Sequence, residues 1–395
     1  MKTVLAGLMV MAGVGGTCLA ADTNSAPATM IPVPVKTWVD SVTMKGDLRF
    51  RHETINDNSK KNAQKETYTR ERDRIRARLA VEGKCNDNLK AGIGFSTGSS
   101  DPISGNQTIG DGSNKKDMKL DLAYFDYSFL GEATPNELHG IAGKQKNPFI
   151  TMNDDLMWDP DLTPEGLVLK GQSGKDKVTI YGTAGLLSLQ ERESKNDSKL
   201  VAGQGAVKYQ FAPEVALTVG ASYYNFQNVQ GYDVIDWEGK NNSYGNTTQK
   251  GTVSGGTTNK AWATDFTPVV YFANLEMWIG GVPVSIFGQE LSNTDASKLN
   301  QGHMFGVSMG KAKNPGTFEV GYTYAELQKD ATIGMWTDSD RWGGGTDGKG
   351  SKVYAKYQIQ KNLQMGISYF KDDKGVASGK PTDYDRMQLD IVAAF

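Results

Sequence analysis

The sequence predicts an all-β protein, a transmembrane antiparallel up-and-down β-barrel of about 16 strands with short periplasmic turns and long extracellular loops. Three observations lead to this fold. The segment from Tyr384 to Phe395 alternates between an apolar face and a face that becomes polar toward its start, as expected of a strand between lipid and water. The rest of the chain repeats such segments between turn-rich connections. No run after the N-terminus approaches the ~20 apolar residues of a membrane helix, so a closed barrel is the remaining way to span a bilayer.

The first residues have the features of a secretory signal peptide. Lys2 supplies a short positive region, an apolar stretch runs from Val4 to Val14, and Leu19-Ala20-Ala21 offers small residues for cleavage. A lipoprotein signal at Cys18 is the alternative, although the residues before it lack the leucine usual for lipidation. The predicted domains are a signal peptide in residues 1–20, a short periplasmic linker in residues 21–37, and an outer-membrane β-barrel in residues 38–395.

Sixteen alternating segments are candidate strands. They lie near residues 41–52, 71–84, 89–98, 118–129, 138–146, 165–171, 177–187, 199–211, 214–225, 262–275, 277–289, 301–311, 316–328, 351–360, 363–371 and 384–395. Their connections alternate in length, as the two ends of such barrels do. Tight turns are predicted at Asn86-Asp87-Asn88, Ala212-Pro213 and Lys361-Asn362, and long loops at 53–70, 99–117, 226–261 and 329–350. Aromatic residues near strand ends predict an interfacial girdle that includes Tyr209, Phe211, Tyr223, Phe370 and Tyr384.

Composition and residue context argue against several functional classes. The formal net charge of −2 argues against a general nucleic-acid binder. The three histidines, His52, His139 and His303, lie outside the Gly-x-Ser-x-Gly and His-Glu-x-x-His contexts that hydrolases use. The sequence therefore predicts neither an enzyme, nor a cofactor, nor a metal site.

An arginine-rich segment is the main candidate site. As a strand, it places on one face Arg72, Arg74, Arg76 and Arg78, and on the other Ile75, Ala77, Leu79 and Val81. The preceding strand continues the basic face with Arg49 and Arg51. An arginine facing lipid at mid-depth costs ~2–4 kcal/mol, so four would cost on the order of 8–16 kcal/mol. We therefore expect these side chains to face the lumen, where they attract anions.

Two other interpretations of the arginine segment remain. An amphipathic helix would place Arg74 and Arg78 four residues apart on one face, but its apolar stripe, mainly Ile75 and Leu79, would be narrow. Within the strand interpretation, the arginines would serve only to tie the barrel wall to a loop folded into the lumen.

Residues 153–166 form an acidic segment that is too rich in proline for a long strand. It carries the carboxylates Asp154, Asp155, Asp159, Asp161 and Glu165. Facing the arginines, these groups would create a transverse electric field across a pore constriction. The alternative is an exposed acidic turn, which could bind a divalent cation.

Several blocks of sequence resemble the "putative porin" family of Gram-negative outer-membrane barrels. They are Lys45-Gly-Asp-Leu-Arg-Phe-Arg, Arg72-Asp-Arg-Ile-Arg-Ala-Arg-Leu, Ser96-Thr-Gly-Ser-Ser-Asp-Pro, Asn106-Gln-Thr, Asp121-Leu-Ala-Tyr-Phe-Asp-Tyr, Ala142-Gly-Lys-Gln-Lys-Asn-Pro-Phe and Asp159-Pro-Asp-Leu-Thr-Pro-Glu-Gly. The resemblance covers residues 38–172 and the last strand, and region 226–350 shows no recognised motif. It implies an outer-membrane location amid lipid and lipopolysaccharide, and passive or weakly selective diffusion of small solutes through a homotrimer. The final strand, ending in Phe395, resembles the signal read by the barrel-insertion machinery.

The sequence thus predicts an outer-membrane porin that gives passive, charge-dependent diffusion of small hydrophilic solutes or ions. A surface adhesin or glycan-binding barrel is the alternative, because four aromatic residues in the long loops are suited to stacking on sugars. They are Trp237, Tyr244, Trp336 and Trp342. An outer-membrane enzyme is a third class, which the histidine contexts do not favour.

Overall fold

The computed structural model describes residues 41–62, 66–130, 136–237, 242–251 and 260–395. The predicted signal peptide and linker lie outside these residues. Within them, sixteen strands form one closed antiparallel barrel, which confirms the predicted fold class and strand count.

The barrel strands follow the order of the chain. They are β1 (Ser41–Lys61), β2 (Thr67–Lys84), β3 (Leu89–Thr97), β4 (Met118–Ser128), β5 (Glu137–Lys144), β6 (Glu165–Lys175), β7 (Val178–Gln190), β8 (Ser198–Ala212), β9 (Val215–Gln227), β10 (Pro268–Ile279), β11 (Val282–Asn293), β12 (Gln301–Gly310), β13 (Phe318–Leu327), β14 (Gly348–Gln360), β15 (Leu363–Lys374) and β16 (Thr382–Ala394). The loops add three short strands, Gln107–Thr108, Thr248–Lys250 and Lys260–Trp262, and two 3₁₀ helices, Gly334–Trp336 and Val376–Ser378.

The barrel is closed by β1 and β16. These strands pair in one continuous register from Asp47 opposite Ala394 to Asp57 opposite Tyr384, and β1 pairs with β2 on its other side. Among the described residues, closure gives each barrel strand a paired neighbour on both sides, which is what a hydrocarbon environment requires. No helix in the described part of the chain is long and apolar enough to cross a membrane.

The two ends of the barrel differ as predicted. One end carries turns such as 176–177, 213–214, 280–281 and 361–362, and the other carries the loops 98–117, 145–164, 228–267 and 328–347. We call them the short-turn end and the long-loop end.

Two predicted connections were wrong. The segment 53–70 is not a long loop, because β1 and β2 stay paired as far as Asn56 opposite Thr69 and, after a register shift, pair again at Lys61 opposite Thr67. Thr54 and Ile55, at the start of this extension, are β-branched and favour strands. The turn between β10 and β11 lies at Gly280-Gly281, several residues later than predicted. Both glycines have positive φ, 59° and 81°, as tight hairpin turns require.

The outer face of the barrel is an apolar surface. On β16, Leu389 and Ile391 are 42% and 46% exposed, whereas the alternating Arg386 and Gln388 are 3% and 2% exposed. This alternation of exposed apolar and enclosed polar residues is that of a strand between lipid and a wet interior.

Part of the predicted aromatic girdle is wrong. Tyr209, Phe211 and Tyr223 point outward and are exposed, but Phe370 and Tyr384 are buried inside the barrel. Both lie on the inward phase of their strands and contact cations. Arg341 and Lys352 lie over the ring of Phe370, and Lys374 over that of Tyr384.

Candidate pore constriction

Loop 145–164 leaves the barrel wall at a pair of glycines and folds into the lumen. Gly143 on β5 and Gly166 on β6 face each other in the strand register and have φ values of 119° and 146°. A Cβ atom at Gly143 would lie 2.1 Å from the carbonyl oxygen of Ala123, and one at Gly166 would lie 2.2 Å from that of Leu186. Only glycine fits this bend without displacing the neighbouring strands.

Three inward loops pack together against one side of the barrel. Trp158 of loop 145–164 stacks on Trp336 of loop 328–347 with ring centroids 5.4 Å apart, and Trp336 contacts Phe226 of β9 at 5.6 Å. The backbone N–H of Asp159 donates to the carbonyl of Trp336 at 2.8 Å. Loop 228–267 adds Trp262 and Phe266, which are essentially inaccessible to solvent. We call this apolar cluster the loop core; it fills the lumen beside β9–β13.

The opposite side of the lumen carries the predicted arginines. Arg51 faces Arg74 across the β1–β2 register and Arg49 faces Arg76. The inward phase of β16 adds Arg386, a buried residue. We call this set the arginine wall; it comprises Arg49, Arg51, Arg72, Arg74, Arg76, Arg78 and Arg386.

Carboxylates on the barrel strands hold much of the arginine wall in place. Asp47 accepts hydrogen bonds from Arg76 at 3.0 Å and Arg78 at 2.7 Å. Glu53, which has no exposed surface, accepts from Arg72 and from Nε of Arg386 at 3.1 Å. Burying such charges is tolerated because each meets opposite charges and its oxygens are hydrogen-bonded. Four arginines of the wall are therefore held by carboxylates of the barrel strands themselves.

A third strand carboxylate and two loop carboxylates complete these ion pairs. Asp390 of β16 receives two hydrogen bonds of 2.7 Å from Arg51. Asp161 of loop 145–164 lies 2.9 Å from Arg76 and 3.2 Å from Arg78. Asp340 of loop 328–347 contacts Arg51 at 3.2 Å and Arg386 at 2.9 Å. Two loops from the long-loop end thus dock on the arginine wall through their acids.

The other predicted acidic residues occupy different positions. Asp154 is bound on the far side of the loop by Lys352 of β14 at 2.5 Å, with Arg341 at 3.7 Å. Asp155 accepts hydrogen bonds from the backbone N–H groups of Met152, Met157 and Trp158 and thereby shapes its own loop.

Like Asp155, two more of the predicted acids form no ion pair with an arginine of the described residues. Glu165, at the start of β6, pairs with Lys144 at 3.0 Å and its side chain is 61% exposed. Asp159 accepts from the backbone N–H groups of Asp161 and Ser339 and lines the same cavity as Arg49. Of the acids that were expected to face the arginines, Asp161 contacts them and Asp159 lines the same cavity without an ion pair. That these residues line a conducting pore stays a prediction.

The loop carboxylates differ in acidity. Burial, together with the neighbouring Asp338 and Asp161, raises the pKa of Asp159. Burial and the nearby Asp340 raise the pKa of Asp338 to about 6. Burial alone would also raise the pKa of Asp340, but the guanidinium groups of Arg386 and Arg51 outweigh it and hold that pKa below its ordinary value. Asp340 is therefore the firmly ionised member of the three.

A chain of cavities follows the arginine wall. A long-loop vestibule of about 850 Å³ and a short-turn vestibule of about 800 Å³ each share lining residues with a smaller cavity of about 250 Å³, which we call the arginine passage. The passage shares Ile103, Asn106 and Ser339 with the first vestibule, and Arg49, Arg51 and Asp161 among others with the second. The narrow part lies between arginines of the wall on one side and Asp159, Asp161, Asp338 and Asp340 on the other.

Comparison with protein families identifies the chain. A family model described as "Putative porin" matches residues 56–259 and 274–395. The chain belongs to this family. The resemblance found in the sequence is therefore confirmed, and the inward loops and cavities described above are those of a porin.

Solved outer-membrane proteins share the fold of this porin. OprB of Pseudomonas putida matches with a TM-score of 0.55 and 11% identity, over 90% of this chain and 94% of its own. OmpF of Salmonella typhi matches with a TM-score of 0.53 and 12% identity, over 90% and 97%. The outer membrane channel DcaP of Acinetobacter baumannii matches with a TM-score of 0.50 and 12% identity, over the same shares. Identities this low establish the fold alone, and no curated protein matches the chain in sequence.

The sequence did not reveal every residue of this porin's candidate constriction. Asp47 and Glu53 share the inward phase of β1 with Arg49 and Arg51, so strict alternation was a usable signal for them. Arg386 and Asp390 likewise lie on the polar phase of the last strand. Asp338 and Asp340 had no such signal, because they lie in an irregular loop whose position depends on long-range packing.

Proposed function

We propose that this porin is a passive diffusion channel in which solutes pass along the arginine wall and anions are favoured. The observation that carries the proposal is the charge balance of the wall among the described residues. Of the seven guanidinium groups of the wall, six form ion pairs with five carboxylates, which are Asp47, Glu53, Asp161, Asp340 and Asp390, and Arg49 forms none. The wall therefore has more positive than negative groups. Asp159 and Asp338 also line the passage, but their raised pKa values weaken their negative charge, and a positive constriction attracts anions and repels cations.

The long-loop vestibule supports the same preference. Its lining includes the acids Asp101 and Asp347 and the bases Lys60, Arg70, Arg72, Arg74, Lys374 and Arg386. A cleft lined mainly by one sign of charge concentrates counter-ions at its mouth. Anions are therefore gathered before they reach the arginine passage.

The loop core supports an off-centre path. It occupies the side of the lumen beside β9–β13, where Val229, Trp262, Phe266 and Ile333 have almost no accessible surface. Water and ions do not enter such a packed apolar region. The route that remains runs beside β1, β2 and β16.

Ion selectivity tests the proposal. Arg74→Ala combined with Arg76→Ala removes two charges from the wall and should lower the anion-over-cation permeability ratio, measured as reversal potentials in a salt gradient. Arg192→Ala combined with Lys199→Ala is the matched control, since both residues lie near the β7–β8 connection, on the other side of the barrel. An unchanged reversal potential in the first pair of substitutions, or an equal change in both, would remove the arginine wall from the conduction path.

The aromatic loops do not favour the adhesin alternative. Trp336 and Trp342 are only 6% and 5% exposed, so neither presents a surface to a glycan. Trp237 stacks on Tyr244 with ring centroids 4.5 Å apart. Trp336 packs on Trp158 of another loop, whereas Trp237 and Tyr244 pack on each other within loop 228–267.

The enzyme alternative gains no support from the histidines. His52, His139 and His303 lie on β1, β5 and β12 respectively, so they form no common site. We propose that the protein has no enzymatic activity.

Assembly belongs to the same proposal. We propose a homotrimer in the outer membrane, with Phe395 as the insertion signal. The backbone of Phe395 forms reciprocal hydrogen bonds with Gly46 at 2.9 and 3.0 Å, and its ring is 58% exposed. The aromatic ring is therefore presented at the short-turn end, where a receptor can contact it. Chemical cross-linking of the detergent-extracted protein tests the trimer, and a monomer alone would exclude it.

A further inference from the structure

The guanidinium group of Arg49 differs from its neighbours in the arginine wall. Its Nη2 donates one hydrogen bond of 2.8 Å, to the side-chain oxygen of Asn106. Its Nε is buried and has no acceptor, a feature that it shares with Arg74 and Arg76; what sets Arg49 apart in the described part of the chain is the lack of a carboxylate partner. Among the described residues, no carboxylate forms an ion pair with Arg49. Because an arginine has five N–H donors, most of the donors of Arg49 are unused.

The arginines on either side have their carboxylates in place. Arg51 is held by Asp390 through two hydrogen bonds and by Asp340 through a third. Arg76 lies between Asp47 at 3.0 Å and Asp161 at 2.9 Å. A solute competing for these two groups would have to displace a carboxylate that the fold already supplies. A solute that binds Arg49 displaces no carboxylate of the protein.

The space next to Arg49 suits a small anionic group. Arg49 lines the arginine passage, about 250 Å³ in volume, which exceeds the roughly 30 Å³ that one water molecule occupies in the liquid. Asn106, from loop 98–117, shows where an oxygen acceptor sits against this guanidinium. Across the passage, Asp161 and Asp159 would repel an anion in proportion to its charge, so a singly charged anion is repelled least. A singly charged, planar oxyanion fits best, and a carboxylate matches the two-pronged donor geometry of arginine.

We propose that Arg49 is the centre of an anion-binding subsite in the arginine passage, which binds the carboxylate group of a permeating monocarboxylate. The inference rests on the proposed diffusion function and adds its substrate class. A solute that carries a carboxylate would bind at Arg49 and dissociate when Nη2 of Arg49 again donates its hydrogen bond to Asn106.

Block of chloride current by propionate tests the subsite. The full-length protein is reconstituted in planar bilayers in potassium chloride, and potassium propionate is added on the long-loop side. Propionate should reduce the current in the wild type in a saturable way. In Arg49→Gln the half-blocking concentration should rise about tenfold, the effect of losing one charge-assisted hydrogen-bonded contact. Arg192→Gln, which removes the same charge outside the passage, should leave it unchanged.

Two further variants separate binding from support of the loop. Arg49→Lys keeps the charge but loses the planar pair of donors, so its half-blocking concentration should lie between those of the wild type and Arg49→Gln. If Arg49→Gln does not fold, this variant carries the test alone. Asn106→Ala removes the competing acceptor and should leave block intact or strengthen it. If Arg49 only held loop 98–117 in place, Asn106→Ala would weaken block as Arg49→Gln does.

The outcomes distinguish this inference from the proposed function. A wild-type protein that inserts but carries no current contradicts the diffusion function itself. A channel that conducts without saturable propionate block, or in which Arg49→Gln is blocked like the wild type, overturns the subsite and leaves the function standing. Stronger block by inorganic phosphate than by propionate would overturn the assignment to monocarboxylates.

Discussion

Asp154 is the residue that fastens loop 145–164 to strands β13 and β14 of the barrel wall. Its carboxylate accepts hydrogen bonds from Lys352 at 2.5 Å and Thr323 at 2.6 Å, and Arg341 of loop 328–347 lies 3.7 Å away. The side chain is only 7% exposed. One carboxylate therefore joins two barrel strands and two inward loops.

Asp154→Asn removes the charge while preserving the shape of the side chain. Removing one partner of a buried ion pair costs about 3–5 kcal/mol. The lower value applies here, because Arg341 keeps Asp372 at 3.5 Å and Lys352 keeps its contacts with the rings of Tyr354 and Phe370. A loss of about 3 kcal/mol raises the population of the undocked loop by roughly 100-fold.

Single-channel recording detects this undocking. Asp154→Asn should show larger and more variable conductance steps than the wild type, because loop 145–164 then leaves the passage for part of the time. Glu165→Gln is the matched control. Its exposed pair with Lys144 is worth only about 0.2–1 kcal/mol, so its conductance should equal that of the wild type. If Asp154→Asn also has wild-type steps and noise, the loop is held by other contacts and the reasoning fails.

Three further predictions concern pH, lipid contact and the loop core. The pKa of Asp338 is raised to about 6, so lowering the pH from 7.5 to 5 neutralises a negative charge in the passage. The preference for anions, measured as reversal potentials, should therefore rise. In Asp338→Asn this rise should be smaller. Ile391→Arg places a charge on the lipid-facing side of β16 and should lower the free energy of unfolding in lipid vesicles by ~2–4 kcal/mol. Ala393→Arg, near the strand end, should lower it by only ~0–1 kcal/mol. Equal losses in the two variants would contradict the assigned face. Trp336→Ala removes the ring stacked on Trp158 and should destabilise the loop core by about 3–5 kcal/mol, seen as faster proteolysis of the long loops, and wild-type resistance would count against the packing described.

The barrel itself was predictable because its rules are local. A strand between lipid and water must alternate, so the outward Ile391 and the inward Arg386 are visible in the sequence alone. The inward direction of Arg72, Arg74 and Arg76 followed from the cost of placing arginine in lipid. Alternation does not determine where a strand ends, so the strand boundaries at the Gly280-Gly281 turn were predicted wrongly.

The constriction was only partly predictable because its contacts are long-range. Asp161 was expected near the arginines and lies there, but Asp154 binds Lys352, which is 198 residues away in sequence. Asp340 reaches Arg51 from a loop without any regular pattern. Phe370 was expected at the membrane interface and is instead buried beneath Arg341. Such pairings depend on how the loops pack inside the closed barrel, which alternation along a strand does not encode.

The most direct test of a water-filled path along the arginine wall is single-channel recording of the purified wild-type protein in planar bilayers. The structure predicts discrete steps of ionic current, with reversal potentials in a potassium chloride gradient that favour chloride. A correctly folded, membrane-inserted protein that carries no current, or one that favours potassium, would contradict it.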